Sequence, residues 1–112
     1  ARFLHRPIEA AARWAFLEDF LQADYAAATG TIYTSVSEHA AKVMPAAFSD
    51  LRVPTLLVAG GEDIIIPAEL GRRAAALNQE WVEYYEIPRT AHFPMLEDRE
   101  DYLQKVNEFL AL

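Results

Sequence analysis

Cysteine is absent from the 112 residues. That excludes a disulfide scaffold and thiolate chemistry and fits a reducing compartment, so the cytoplasm is the expected location. Glycine is scarce, with only Gly30, Gly60, Gly61 and Gly71 in the chain. Gly60-Gly61 is too short to cradle a phosphate, because neither Gly-x-Gly-x-x-Gly nor a Gly-rich loop ending in Lys-Ser/Thr is present. Basic residues are also few. Ten Lys and Arg against 17 Asp and Glu give a net charge of −7, which argues against nucleic acid, since phosphate contacts need clustered cations. No apolar run reaches membrane-spanning length, and no signal-peptide pattern opens the chain. Residue 1 is Ala rather than Met, and truncation of a longer chain is the expected reason.

What is present is enough apolar material for one domain. A hydrophobic content of 53% supports a core and argues against disorder. From Pro7 to Thr29 strong helix formers run without an internal Gly or Pro. Pro7 suits the first turn of a helix there and Gly30 a left-handed stop. Ile8, Ala12, Ala15, Phe16, Leu17, Phe20 and Leu21 recur at helical spacing on it, broadened by Trp14. The Trp14/Phe16/Leu17/Phe20 stripe reads first as core and second as the wall of a substrate pocket. Ser35-Val36-Ser37-Glu38 has capping-box spacing and predicts a short helix through Val43, ended by Pro45. Ala46 to Arg52 reads as a connection.

Two apolar runs then end in loops that carry polar chemistry. The first is Val53-Pro54-Thr55-Leu56-Leu57-Val58-Ala59, followed by Gly60-Gly61-Glu62-Asp63. The second is Trp81-Val82-Glu83-Tyr84-Tyr85-Glu86-Ile87, followed by Pro88-Arg89-Thr90-Ala91-His92-Phe93-Pro94. Thr55–Ala59 is apolar on both faces, as a buried parallel strand should be. Between the runs Pro67 opens a helix that Asn78 closes, with Leu70, Ala74 and Leu77 as its expected inner face. A last helix is expected near Asp98, whose carboxylate suits a helix N-terminus; Tyr102, Leu103, Val106, Phe109 and Leu110 form its stripe. Strands joined by a crossover helix point the same way, so both loops emerge at the carboxyl edge of the sheet, where open α/β folds place their sites. A carboxylate and an imidazole side by side there are two members of a nucleophile–histidine–acid triad.

These residues carry a family resemblance. Leu51 to Leu112 resembles the C-terminal end of an α/β-hydrolase, with Gly60, Asp63 and Pro67 matching its acid loop and His92-Phe93-Pro94-Met95-Leu96-Glu97 its histidine loop. Ala91 stands where the family often has Gly, which costs backbone freedom at the turn but removes no chemistry. The resemblance implies an α/β fold: the last two parallel strands with flanking helices in 51–112, preceded in 1–50 by cap-type helices that return the chain to the sheet. It implies Asp63 as the catalytic acid and His92 as the base, a small-molecule ester or related substrate, and no cofactor. Esterases, lactonases, carbon–carbon hydrolases, haloperoxidases, dehalogenases and acyltransferases share both motifs, so the substrate stays open.

The nucleophile is missing. In that family it sits on a Gly-x-Ser-x-Gly elbow upstream of the acid, whereas Ser35, Ser37 and Ser49 have no flanking glycines. The chain therefore reads as the back part of a larger enzyme. Its sheet is expected to need a missing N-terminal part, another chain or a copy of itself. Other readings remain open. Asp63 by itself is an ordinary turn residue and His92 an ordinary loop histidine. Glu62 is a rival for the acid, although the Gly-x-x-Asp register favours Asp63. Glu97 reads as structural, capping the last helix or bonding a loop amide, and His5 and His39 as surface groups. Asp63, His92 and Glu97 lack the spacing that sets metal ligands on one helix face. The rival functions are a hydrolase-like module that binds a ligand or partner without turnover, and a self-contained α/β binding domain in which Asp63 and His92 never meet.

Overall fold

A computed structural model describes residues 3–111. Three helices come first: α1 (Ala10–Gln22), α2 (Tyr25–Ser35) and α3 (Glu38–Asp50). The single helix expected over Pro7–Thr29 is broken at Asp24. That residue takes an extended conformation, and its carboxylate accepts the Ala27 amide at 2.9 Å. An Asp cap satisfies an amide that a helix start otherwise leaves unpaired. Gly30 does not stop the helix; it lies inside α2 with no positive φ. Ser37, not Ser35, caps α3 by accepting the Ala40 amide, while the Ser35 hydroxyl turns back to the Ile32 carbonyl.

Pro45 does not end α3 either, and the expected connection over Ala46–Arg52 is helical as far as Asp50. An interior Pro costs a helix about 3 kcal/mol, so a tertiary term must offset it. Asn78 supplies one. Its Nδ2 donates to the carbonyls of Phe48 at 2.9 Å and Leu51 at 3.0 Å, capping the end of α3 from the end of the next helix.

The sheet has two parallel strands, β1 (Thr55–Gly60) and β2 (Val82–Ile87), in register from Thr55↔Val82 to Gly60↔Ile87. The crossover between them is α4 (Ala68–Ala76). Its inner face differs from the expected one. Ala68 and Ala75 are buried, and a Cβ on Gly71 would come 2.8 Å from the Tyr84 ring. Small residues let the helix lie close on the sheet. The larger Leu70 and Leu77 turn instead toward α3, where with Met44, Phe48, Arg73 and Ala74 they line an apolar cleft of about 580 Å³. After β2 come the short α5 (Pro94–Glu97), absent from the sequence reading, and α6 (Arg99–Phe109). Asp98 caps α6 as expected, accepting the Asp101 amide at 3.3 Å. Tyr85 Oη donates to Asp101 at 2.6 Å and Lys105 pairs with Glu83, which ties α6 to β2.

This architecture leaves a small core. The buried apolar residues among those described are Ile8, Ala68, Ala75, Val82, Ile87 and Ala91. Every residue of β1 before Gly60 stays part-exposed. The radius of gyration is 15.5 Å, against about 13 Å for a compact chain of this length. No helix among the described residues is long and apolar enough to cross a membrane.

Candidate active site

Because β1 and β2 are parallel and end level at Gly60↔Ile87, the loops that follow them start side by side. Backbone bonds then lace the loops together. The Gly61 amide donates to the Ile87 carbonyl at 3.0 Å and the Glu62 amide to the Thr90 carbonyl at 2.8 Å. The approach is close enough to dictate one residue. A Cβ on Gly60 would sit 1.9 Å from the Ala91 carbonyl oxygen and 2.7 Å from that of Thr90. No side chain fits there, which gives Gly60 a steric reason that does not depend on φ.

Asp63 and His92 meet. Asp63 Oδ2 lies 2.9 Å from His92 Nδ1, while Oδ1 accepts the amides of Ile65 at 2.8 Å and Ile66 at 3.1 Å. The Asp63 side chain is 8% exposed and that of His92 27%. Burial pushes the Asp63 carboxyl pKa up, but the His92 hydrogen bond and the two amides outweigh it and hold the group below its ordinary value. An ionised carboxylate only accepts hydrogen bonds, so Nδ1 carries the proton. The Nε2 lone pair is then free, and Nε2 has no hydrogen-bond partner among the described residues. This orientation of an imidazole by a carboxylate is what a general base needs.

Solved structures that resemble the fold of this chain include two hydrolases. One is a predicted CIB-like hydrolase from Thermoplasma acidophilum, 22% identical, with a TM-score of 0.57 over 62% of this chain and 33% of that one. The other is a serine hydrolase involved in carbazole degradation (the CarC enzyme), 30% identical, with a TM-score of 0.51 over 60% of this chain and 26% of that one. Over about 60% of its length the chain has the α/β-hydrolase fold of these structures. The chain spans a third or less of the length of either hydrolase. No family model and no curated protein matches it.

Within this hydrolase fold the other candidates separate cleanly. The Glu62 side chain is exposed, and Asp63, not Glu62, reaches the histidine. His5 and His39 are exposed. The hydroxyls of Ser35, Ser37 and Ser49 donate to the carbonyls of Ile32, Thr34 and Pro45, and none bonds His92. Ala91 replaces glycine without strain, because the left-handed residue of the loop is Arg89, at φ 57°. Trp14 and Phe20 of the α1 stripe are 69% and 70% exposed, so the core reading of the stripe fails for them. Phe16 instead packs edge-on against Phe93 at 4.8 Å, beside the His92 ring. No three His, Asp or Glu groups gather as a metal ion would need among the described residues.

Two further features support the histidine loop, the first without a local sequence signal and the second expected from its position. One is the segment Phe3–Arg6, which crosses the histidine loop. The Phe3 carbonyl accepts the His92 amide at 3.0 Å, and the Arg6 guanidinium donates to the carbonyls of Pro88 and Arg89 and pairs with Asp98 at 2.6 Å. The other is Glu97, buried beneath the loop; it bonds a loop amide, as one of its two expected structural roles has it, while the cap of α6 is Asp98.

Gly60→Ala tests the close approach. The added methyl must push the 90–91 carbonyls away, so the variant is expected to lose about 1–3 kcal/mol of stability, as overpacking does, and to break the Asp63–His92 bond. Denaturant unfolding together with the His92 ring NMR signals reads both. An unaltered midpoint with unaltered ring signals would show that the approach is slack.

Proposed function

We propose that this chain supplies the acid Asp63 and the base His92 of a nucleophile–histidine–acid triad in an enzyme that hydrolyses a small-molecule ester or related bond. The observation that carries the reading is the 2.9 Å Asp63–His92 hydrogen bond with Nε2 left open. A serine nucleophile, contributed from outside these residues, would lose its hydroxyl proton to Nε2 as its oxygen attacks the substrate carbonyl. The imidazolium so formed faces the ionised Asp63 carboxylate, which stabilises it. Nε2 then returns the proton to the leaving alkoxide. Water, deprotonated in its turn by Nε2, attacks the acyl-enzyme; Nε2 then gives that proton to the departing serine oxygen, which releases the acid and regenerates the serine. Were the nucleophile an aspartate, the same histidine would act only on the hydrolytic water. The chemistry requires no cofactor.

The contrasting reading, a hydrolase-like module that binds without turnover, draws on the three serines, whose hydroxyls bond helix carbonyls rather than His92. A serine-directed fluorophosphonate distinguishes the two. The 112-residue chain alone is expected to form no adduct on Ser35, Ser37 or Ser49. A protein that joins it to an upstream Gly-x-Ser-x-Gly elbow is expected to be labelled stoichiometrically at that elbow, in a manner that requires His92. Mass-spectrometric mapping of an adduct to one of the three serines, or an elbow-bearing protein that resists labelling, would count against the triad.

A further inference from the structure

The histidine loop has almost no secondary structure of its own, yet many of its backbone groups are engaged. Thr90 is fully buried, with its hydroxyl donating to the Ile87 carbonyl at 2.9 Å. The carbonyls of Pro88 and Arg89 accept from Arg6, the Thr90 carbonyl accepts from Glu62, and the His92 amide donates to Phe3. One amide, that of Ala91, is served by a side chain: it donates to Glu97 Oε2 at 2.7 Å. The other oxygen of the same carboxylate, Oε1, accepts the amides of His5 at 2.5 Å and Arg6 at 2.6 Å. Glu97 is 8% exposed, follows His92 by five residues, and lies some 90 positions from the strap it binds. A carboxylate bridging three amides holds each more strongly than a neutral acceptor would. It also places those bonds directly beside the residue whose ring must point its Nε2 at a reacting atom.

We propose that Glu97 is the positioning residue of His92. Its carboxylate ties the Ala91 amide to the Phe3–Arg6 strap, and that tie sets where the imidazole meets Asp63. The proposal rests on the triad reading for its catalytic consequence, but not for its geometry. The strap runs directly into α1, and Phe16 of α1 touches Phe93 beside the ring. The position of His92 is therefore referred to the helical segment as well as to the sheet.

The decisive variant is Glu97→Gln. Oε1 and Oε2 both accept amides, so a carboxamide of the same size must point its NH2 at a donor. Either the Ala91 bond or the strap bonds are lost. The test uses the complete protein with 15N-labelled histidine, His92 assigned by its loss in His92→Ala. In folded Glu97→Gln the Nδ1–H resonance bonded to Asp63 is expected to broaden or disappear. Turnover, kcat, is expected to fall about 100-fold, the scale of a 1 Å misplacement, with KM within about twofold. An intact resonance with native kcat in a folded variant overturns the proposal. If Glu97→Gln does not fold, an amide-to-ester replacement at Ala91 deletes that N–H and otherwise only weakens the Thr90 carbonyl that accepts the Glu62 amide, a loss that an ester at Glu62, which removes that donor, measures separately. A folded Ala91 ester variant that loses the resonance supports the proposal. One that keeps it, or that fails to fold, overturns it, since the bond would then serve the fold at large and not the histidine. Retention of turnover in His92→Ala would sink the triad reading separately and leave the resonance result standing.

Discussion

Asp63→Asn is expected to lower kcat of the elbow-bearing protein by about 10⁴, the loss found when the acid of a comparable triad is made an amide. That corresponds to about 5.4 kcal/mol of transition-state stabilisation. The reason is the tautomer and not the shape. The amide side chain keeps the oxygen that accepts the Ile65 and Ile66 amides, so the turn survives. Its NH2 now faces Nδ1, which must become the acceptor, and the proton moves to Nε2. A ring protonated at Nε2 cannot take the nucleophile's proton. His92→Ala removes the base outright and is expected to leave only what oxyanion stabilisation and binding supply. Both variants are expected to fold, since the His92 ring is partly solvent-exposed and an asparagine side chain is nearly isosteric with the aspartate it replaces. The assay is kcat on an activated ester beside a thermal unfolding curve, and near-native turnover in either variant would defeat the triad. The same pair adds stability that depends on pH. Its folded-state carboxyl pKa is lowered, so the contribution is fully present above the ordinary value near 3.8 and is lost as pH falls through the lowered one.

The meeting of Asp63 with His92 was legible because two long-range facts had short-range signatures. A run such as Thr55–Ala59, apolar on both faces, announces a parallel strand, although its residues before Gly60 stay part-exposed here. A helical pattern between two strand-like runs fixes their common direction. The loops' shared edge follows from those alone. The bond of Glu97 to a loop amide was also legible, its partner being six positions away, but the strap has no comparable signature, because the amides it offers Glu97 are backbone groups, which every sequence offers equally, some 90 positions away. Gly60 shows the same limit from the other side. The glycine was visible, but its reason appears only when the Ala91 carbonyl lies 1.9 Å from the missing Cβ. The misread helices failed differently, since their signals were local and competed. Asp24 caps α2 in the middle of a run of helix formers. Pro45 is carried inside α3 because Asn78, from a distant helix end, caps the carbonyls beyond it. On α4 the expected stripe Leu70, Ala74 and Leu77 lines the cleft against α3, whereas close packing on the sheet selected Ala68, Gly71 and Ala75.

The purified 112-residue chain is expected to associate, either with itself or with the part of a hydrolase sheet that would lie beside β1. Its surface explains why. The chain exposes 8352 Å², against about 6200 Å² for a compact monomer of its 12.6 kDa mass. The difference, on the order of 2000 Å², exceeds the roughly 800 Å² that one partner contributes to a standard stable interface. Much of it is aromatic and aliphatic: Trp14, Phe20, Leu21, Tyr25, Ile32 and Tyr33 are all at least 65% exposed. The sheet indicates where a partner strand would pair. β2 carries Glu83 and Glu86, charges of the kind that blunt an edge, whereas Thr55–Gly60 has none. The outer edge of β1 therefore offers unpaired amides and carbonyls along an apolar strand, with no neighbour on that side among the described residues. Sedimentation at micromolar concentration is expected to show dimers or larger species. An added N-terminal hydrolase segment is expected to convert them into a stoichiometric complex with one sharp unfolding transition. A Lys substituted for Val58 should weaken either association, because it places a charge on the pairing strand. A compact monomer that unfolds cooperatively by itself would refute this, and would mean that two strands and six helices bury enough surface to stand alone.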